Sequence, residues 1–298
     1  MQRDRTRERS EAPPWAYRHL GRRTRRLVAS VREAATTIED LGFGTMWFPE
    51  TAGREAMAQA GILLSQTRRI VVAAGSTDIY ARDPVTTAAA QRTFEEAFPG
   101  RFLLGLWDSH PSLAEDIRGH HFGPPLPTMR AYLDALDAAP FGPPATAASP
   151  HRVLAALDPG MLALAAERAW GANPLGMPVE HTRNARAVLG PTGLLAVTQL
   201  CVLGPDRSHT AALARTTAAA ALPNRRALLP DLGYENVDSL DDRLVDALVA
   251  HGTAEDIARR VHEHLDAGAD HVSLHLFTTT PHTPPTQQWK QLAVHLLP

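Results

Sequence analysis

GTMWFP (44–49), RIVVAAG (69–75) and RFLLGLW (101–107) decide the fold. Each is a short apolar run of the kind that forms a strand buried on both faces. Each ends in a polar or glycine-containing turn: Glu50-Thr51, Gly75-Ser76-Thr77 and Asp108-Ser109-His110. Helix-length segments separate the runs, one over 53–66 and one from Pro84 to about Phe98. Asp83 is placed to cap the second, Pro84 suits its first turn, and Pro99-Gly100 stops it. Strand–helix–strand succession means parallel strands joined by right-handed crossovers.

The pattern extends both ways. Leu27, Val31, Ala34, Ala35, Ile38 and Leu41 repeat at three and four, which predicts a helix ended by Gly42. Downstream, strands are expected at 151–157, 171–175 (short), 195–203 and 271–277. Helices are expected at 127–138, 159–169 with Asp158 as cap, and 180–190 closed by Gly190. Helical sequence resumes over about 206–232, at 254–268 capped by Thr253, and at 289–297. A weak first strand falls within WAYRHL (15–20). Eight strand–helix units in 298 residues predict an α/β fold, a (β/α)8 TIM barrel, with an open doubly wound sheet as the runner-up. Residues 1–14 are expected to be a disordered tail. Residues 15–298 are expected to be one barrel domain with insertions at about 108–126 and 206–240.

Composition narrows the function. Lys and Arg number 30 against 32 Asp and Glu, so no basic excess calls for nucleic acid. The arginine-rich start (Arg3, Arg5, Arg7, Arg9) reads as solvated tail. The single cysteine, Cys201, excludes an internal disulfide and reads as a buried thiol. No apolar run approaches bilayer length and no secretory h-region is visible, so a cytoplasmic location is expected. No G-x-G-x-x-G or G-x-x-x-x-G-K-[ST] occurs. His262 and His264 diverge on a helix, and His271 and His275 share a strand face without a carboxylate pattern; no metal site is expected.

Five blocks in order carry a resemblance: LGFGTMWFPE (41–50), IYARDPVTTAAAQRTFEEAFPGRFLLGL (79–106), RGHHFGPPLPTMRAYLDALDAAP (118–140), LDPGMLALAAERAWGA (157–172) and DRLVDALVAHGTAEDIARRVHEHLDAGADHV (242–272). Together they resemble bacterial luciferase-like oxidoreductases. The likeness is closest to an actinobacterial subgroup that depends on coenzyme F420, an 8-hydroxy-5-deazaflavin. The resemblance implies a (β/α)8 barrel, a flavin-like cofactor at the C-terminal strand ends and a homodimer. It places the first strand near 12–19, where PPWAYRH is poor strand sequence.

The resemblance also nominates site residues. Glu50 would orient cofactor or substrate as a catalytic group, or else cap or ion-pair the next helix. Gly75, Ser76 and Thr77 would form a bulge with a cis peptide under the cofactor's middle ring, or else an ordinary turn. His110 would move a proton, its pKa lying near working pH. Trp107 and Asp108 replace the subgroup's glycine and small apolar residue, and Trp107 would stack on the ring or fill its space. Gly160 and Met161, and Gly171 and Ala172 near Asn173, would hold the cofactor's phosphate. Asp158 stands there in place of a glycine. Arg225-Arg226 read as a solvated face or as substrate contacts. The reading is hydride transfer between the deazaflavin and a small organic substrate, without nucleic-acid or membrane partners. The alternatives are an FMN monooxygenase and a diverged barrel without a redox cofactor.

Overall fold

The computed structural model describes residues 24–142, 151–280 and 283–297. The expected tail and first strand lie outside them. The opening half follows the sequence pattern: α1 Thr24–Asp40, β1 Thr45–Phe48, α2 Ala56–Gln66, β2 Val71–Asp78, α3 Pro84–Ala97 and β3 Phe102–Trp107. Next come a π-helical turn at Ser112–Ile117, then α4 Pro125–Asp137, β4 Arg152–Leu154, α5 Pro159–Arg168 and β5 Gly171–Ala172. The chain continues with α6 Val179–Leu189, β6 Leu194–Leu203, α7 Arg207–Ala221, α8 Asp242–Leu248 and β7 Val249–Gly252. It closes with α9 Ala254–Asp266, β8 His271–Leu276 and α10 Thr286–Leu296.

All eight strands join one parallel sheet, β1 through β6 in sequence order. The long β6 carries the last two on opposite edges, since Cys201 pairs with Ala250 of β7 on one side and Leu276 of β8 on the other. This is the parallel sheet expected of a (β/α)8 fold. Its described ends come together: Trp47 Nε1 of β1 donates to His271 Nε2 of β8 at 3.0 Å, and the rings stack with centroids 5.9 Å apart.

Alternation along the strands sorts the core into two layers. Val72, Ala74, Leu104 and Leu154 face the helices and join the largest apolar cluster. Trp47, Ala73, Leu103, Val153 and Leu194 face inward and form their own cluster. β7, VAHG, was not read as a strand. It is four residues long and follows α8 without a turn residue between them.

Helix starts gather at the C-terminal end of the sheet, and acidic or hydroxyl side chains cap most of them. Glu55, Asp83, Asp158, Asp206 and Thr253 each accept the expected backbone N–H. Like α4 at Pro124 and α10 at Pro285, α6 after β5 starts at Pro178 with no side-chain cap.

Candidate active site

The end of β2 makes a floor. Its register against β3 slips between Ala74 and Thr77, and the Gly75–Ser76 peptide within the slip is cis. Two glycines make room. A Cβ on Gly75 would stand 2.4 Å from Trp47 Cε3, and one on Gly105 would stand 2.1 Å from Ala74 O. Neither approach is sterically possible, so both positions require glycine. Thr77 is wholly buried and donates from Oγ1 to Gly105 O at 2.7 Å. It ties the bulge to β3 and leaves no surface for a ligand.

Glu50 brackets this bulge. Its backbone N–H donates to Ser76 O at 3.1 Å, and its Oε2 accepts from Asp78 N at 2.9 Å. Oε1 accepts from Ala56 N at 3.2 Å and pairs with Arg82. With 3% of its surface exposed and both oxygens engaged, Glu50 does not face a substrate. Its carboxylate holds the end of β2 to the start of α2.

The turn after β3 is built on Asp78. This fully buried carboxylate accepts from Tyr80 N at 2.8 Å, Arg118 Nε at 2.9 Å and Ser109 Oγ at 3.1 Å. Ser109 has φ +68°, a left-handed conformation that costs energy in a residue with a Cβ. Its bond to Asp78 holds it there and so fixes the backbone between Asp108 and His110. The loop that follows is tied to the same base. Arg118 reaches Asp78, and Gly123 N donates to Tyr80 Oη at 2.9 Å.

His110 lies within this frame. Its Nδ1 is 2.8 Å from Ser112 Oγ, and among the described residues Nε2 has no hydrogen-bond partner. Trp107 meets the imidazole edge-on, with centroids 5.6 Å apart. Burial pushes the His110 pKa down, against the pull of Asp78, so the ring is neutral at pH 7. Its carbonyl accepts from Leu113 N and Ala114 N at 3.0 Å, just ahead of the π-helical turn at Ser112–Ile117, a geometry that recurs at functional sites.

Asp108 is pushed up to about 6, by burial first and then by the carboxylates of Asp158 and Asp78. Asp158 itself caps α5, its Oδ1 accepting from Met161 N at 2.9 Å. The Met161 N–H is therefore already taken, and the Met161 side chain is buried. A Cβ on Gly160 would lie 3.1 Å from the same carboxylate oxygen. The helix start expected to seat a phosphate is filled by the protein's own anion. Gly171 has a packing role, since a Cβ there would lie 1.8 Å from Leu194 O. Ala172 is fully buried within β5.

The residue that emerges at the end of β5 is Asn173. It is 3% exposed, and its Nδ2 donates to Ala196 O at 2.6 Å and Thr198 Oγ1 at 3.0 Å. Its Oδ1 lies 3.4 Å from where a Gly75 Cβ would be.

Other expectations resolve quickly. Arg225 is buried, not solvated, and donates to the carbonyls of Leu175, Gly176 and Ala221. Burial lowers its pKa to about 10. Arg226 is exposed and pairs with Asp238. Cys201 is buried, and burial pushes its thiol pKa up. His264 is sealed between Thr182 Oγ1 and Gln199 Oε1. Among the described residues no group of three His, Cys, Asp or Glu is placed to hold a metal ion, and no helix is long and apolar enough to cross a membrane.

A family model for luciferase-like monooxygenases matches residues 15–271. The chain belongs to this family. It is similar, at 28% identity over 175 residues, to a Mycobacterium tuberculosis protein provisionally named coenzyme F420-dependent oxidoreductase Rv3520c. That match takes in 57% of this chain and 48% of the relative, so it spans about half the relative's length. Solved structures share the fold at low identity. One is an F420-dependent secondary alcohol dehydrogenase in complex with an F420–acetone adduct: 14% identical, TM-score 0.70, covering 91% of this chain and 94% of that one. Another is the oxygenating constituent of 3,6-diketocamphane monooxygenase from the CAM plasmid of Pseudomonas putida, in complex with FMN: 15% identical, TM-score 0.71, covering 94% and 96%.

At the expected place, the start of α5, the luciferase-like site does not fit the phosphate of a flavin-type group. The Gly75–Ser76 bulge and Asn173 Oδ1 lie together at the sheet's C-terminal end, with the Trp47 indole packed against Gly75. The α5 start is filled by Asp158, whereas the α6 start carries no side-chain cap.

Proposed function

We propose that this protein is a deazaflavin-dependent oxidoreductase that moves a hydride to or from a small organic substrate, with His110 handling the accompanying proton. The carrying observation is His110 itself: Nδ1 is held by Ser112, burial keeps the ring neutral, and Nε2 is free among the described residues. A free Nε2 on a neutral ring accepts a proton when Nδ1–H donates to Ser112 Oγ.

The bound deazaflavin supplies the hydride chemistry. The chain supplies position and proton transfer. When an alcohol loses its C–H hydride, its O–H proton must also leave, and Nε2 takes it. The imidazolium so formed keeps its bond to Ser112 and is favoured by the negative charge of Asp78. In the reverse direction the same nitrogen returns the proton. Gly75 and Ser76 would support the ring, Glu50 and Arg82 hold that bulge in place, and Trp107 would wall the side next to His110. The uncapped backbone N–H groups at the start of α6 are the donors offered to a phosphate.

The reading is supported by the family match and by the likeness to the mycobacterial relative. The test is bleaching of the F420 visible band with a panel of small alcohols. The expected oxidation rate rises with pH to a plateau, with a midpoint below the ordinary histidine value, and His110→Ala removes both the rate and that limb while leaving F420 binding within a few-fold. Loss of F420 binding with an unchanged rate at saturation would remove His110 from the proton-transfer role. FMN serves as the second cofactor in the same assay, because a flavin and a deazaflavin share the same ring framework.

A further inference from the structure

A cavity of about 450 Å³ lies at the other end of the sheet, where β4 and β5 begin. In a (β/α)8 fold the chemistry sits at the C-terminal strand ends, so this cavity is no part of the site described above. One wall of it is aromatic. The Trp170 backbone is held on both sides: its N–H donates to Arg152 O and its carbonyl accepts from Leu194 N, each at 2.8 Å. The indole is nevertheless 46% exposed. It lines the cavity together with the His151 imidazole, with ring centroids 4.2 Å apart and planes at 41°. A large ring left half in water on a fixed backbone offers a stacking face. Leu136, Ala88 and Ala169 add apolar surface.

Three guanidiniums border the same space, and two of them are consumed. Arg152 pairs with Asp137 at 2.6 Å and donates to Arg168 O at 2.9 Å. Arg168 pairs with Asp134 at 2.7 Å and with Asp137 at 2.9 Å. These two cations and two carboxylates cancel. The third, Arg92, has no carboxylate partner among the described residues. Its Nη1 donates to Ala139 O at 2.8 Å, and the guanidinium lies over the Phe141 ring, 5.4 Å from its centroid. Nε and Nη2, the two donors along one edge of the fork, have no hydrogen-bond partner among the described residues. Gln91 is almost wholly buried beside it and donates from Nε2 to His151 O at 2.8 Å. That bond ties α3 to the start of β4, so the charge and the aromatic wall keep their spacing.

We propose that this cavity binds a small aromatic carboxylate, with its ring against Trp170 and His151 and its carboxylate on the free edge of Arg92. One uncompensated cation matches a monoanion. Two parallel N–H groups match the two oxygens of a carboxylate. A cavity of this size takes a molecule of one or two fused rings. The inference is independent of the cofactor reading, because its ligand sits at the opposite end of the strands.

The test is isothermal titration calorimetry of the purified protein with three probes. These are 2-naphthoate, 2-naphthamide (the same shape without the charge) and decalin-2-carboxylate (the charge without the aromatic ring). 2-Naphthoate is expected to bind saturably, about 10-fold more tightly than the amide and about 3-fold more tightly than the saturated acid. Arg92→Gln is expected to lose about 10-fold on 2-naphthoate and less than about 3-fold on the amide. Trp170→Leu is expected to erase the preference for the aromatic acid over the saturated one. His110→Ala, altered at the far end, is expected to bind 2-naphthoate as wild type does. The inference is overturned if wild type shows no saturable binding of 2-naphthoate, or binds acid and amide alike; neither result needs a variant to fold. It is also overturned if His110→Ala loses binding while Arg92→Gln keeps it, since the probe would then sit at the C-terminal strand ends.

Discussion

Asp108→Asn keeps the side chain's shape and removes its ionisation. In the folded chain the Asp108 pKa stands at about 6 against a reference of 3.8, because burial and the neighbouring Asp158 and Asp78 disfavour its charge. Its proton is held more tightly folded than unfolded. The sign follows: relative to the Asn variant, wild type is at its best below the unfolded pKa and loses stability as pH rises through about 6. The shift of about two pH units corresponds to about 3 kcal/mol at most, reached near neutral pH. Acid unfolding through other carboxylates masks the lowest part of the window, so the useful comparison runs from about pH 5 to about pH 7.5. Over that range the gap between variant and wild type should widen by about 1.4 kcal/mol. Urea denaturation of both proteins at matched pH values reads it directly. A constant offset between the two curves would refute the argument, since it would show that Asp108 titrates alike in both states. The variant should also bind a phosphate-bearing cofactor several-fold more tightly at the upper pH, with little difference at the lower.

Three further substitutions test other parts of the site. Glu50→Gln removes the charge from the buried pair with Arg82, which keeps its second partner Glu55; a loss of about 1.5–3 kcal/mol is expected by chemical denaturation. Gly171→Ala puts a Cβ where Leu194 O stands, so soluble yield and melting temperature should both fall sharply. His110→Ala should lower turnover about 10²- to 10⁴-fold, the range of general acid–base catalysis, with cofactor affinity within a few-fold of wild type. Equal losses in turnover and affinity would contradict the assigned role.

Much of the fold was legible because local chemistry and tertiary structure agree. Asp83-Pro84, Asp158 and Thr253 cap the helices they were expected to cap, and Gly42, Gly190 and Gly268 end helices with positive φ. Where pattern is thin, the reading lost detail. The strand expected at 151–157 is three residues long, and VAHG became a strand only through its pairing with β6. The site was legible in outline and less so in roles. Glu50 was identified, but a sequence does not show that both its oxygens are taken by Ala56, Asp78 and Arg82. Arg225 was read as solvated because nothing local signals that three backbone carbonyls enclose it. Asn173 was passed over as part of a phosphate region. What distinguishes it is which end of its amide is engaged, and that depends on β6 and β8 far along the chain.

The central claim is that the space beside the Gly75–Ser76 bulge takes a flavin-type ring within reach of His110. Its most direct test is titration of the purified wild-type protein with F420 and, separately, FMN, followed by visible absorbance. The account predicts saturable binding with a perturbed ring spectrum for F420, altered in affinity by Trp107→Gly. Absence of saturable binding for both cofactors would contradict it.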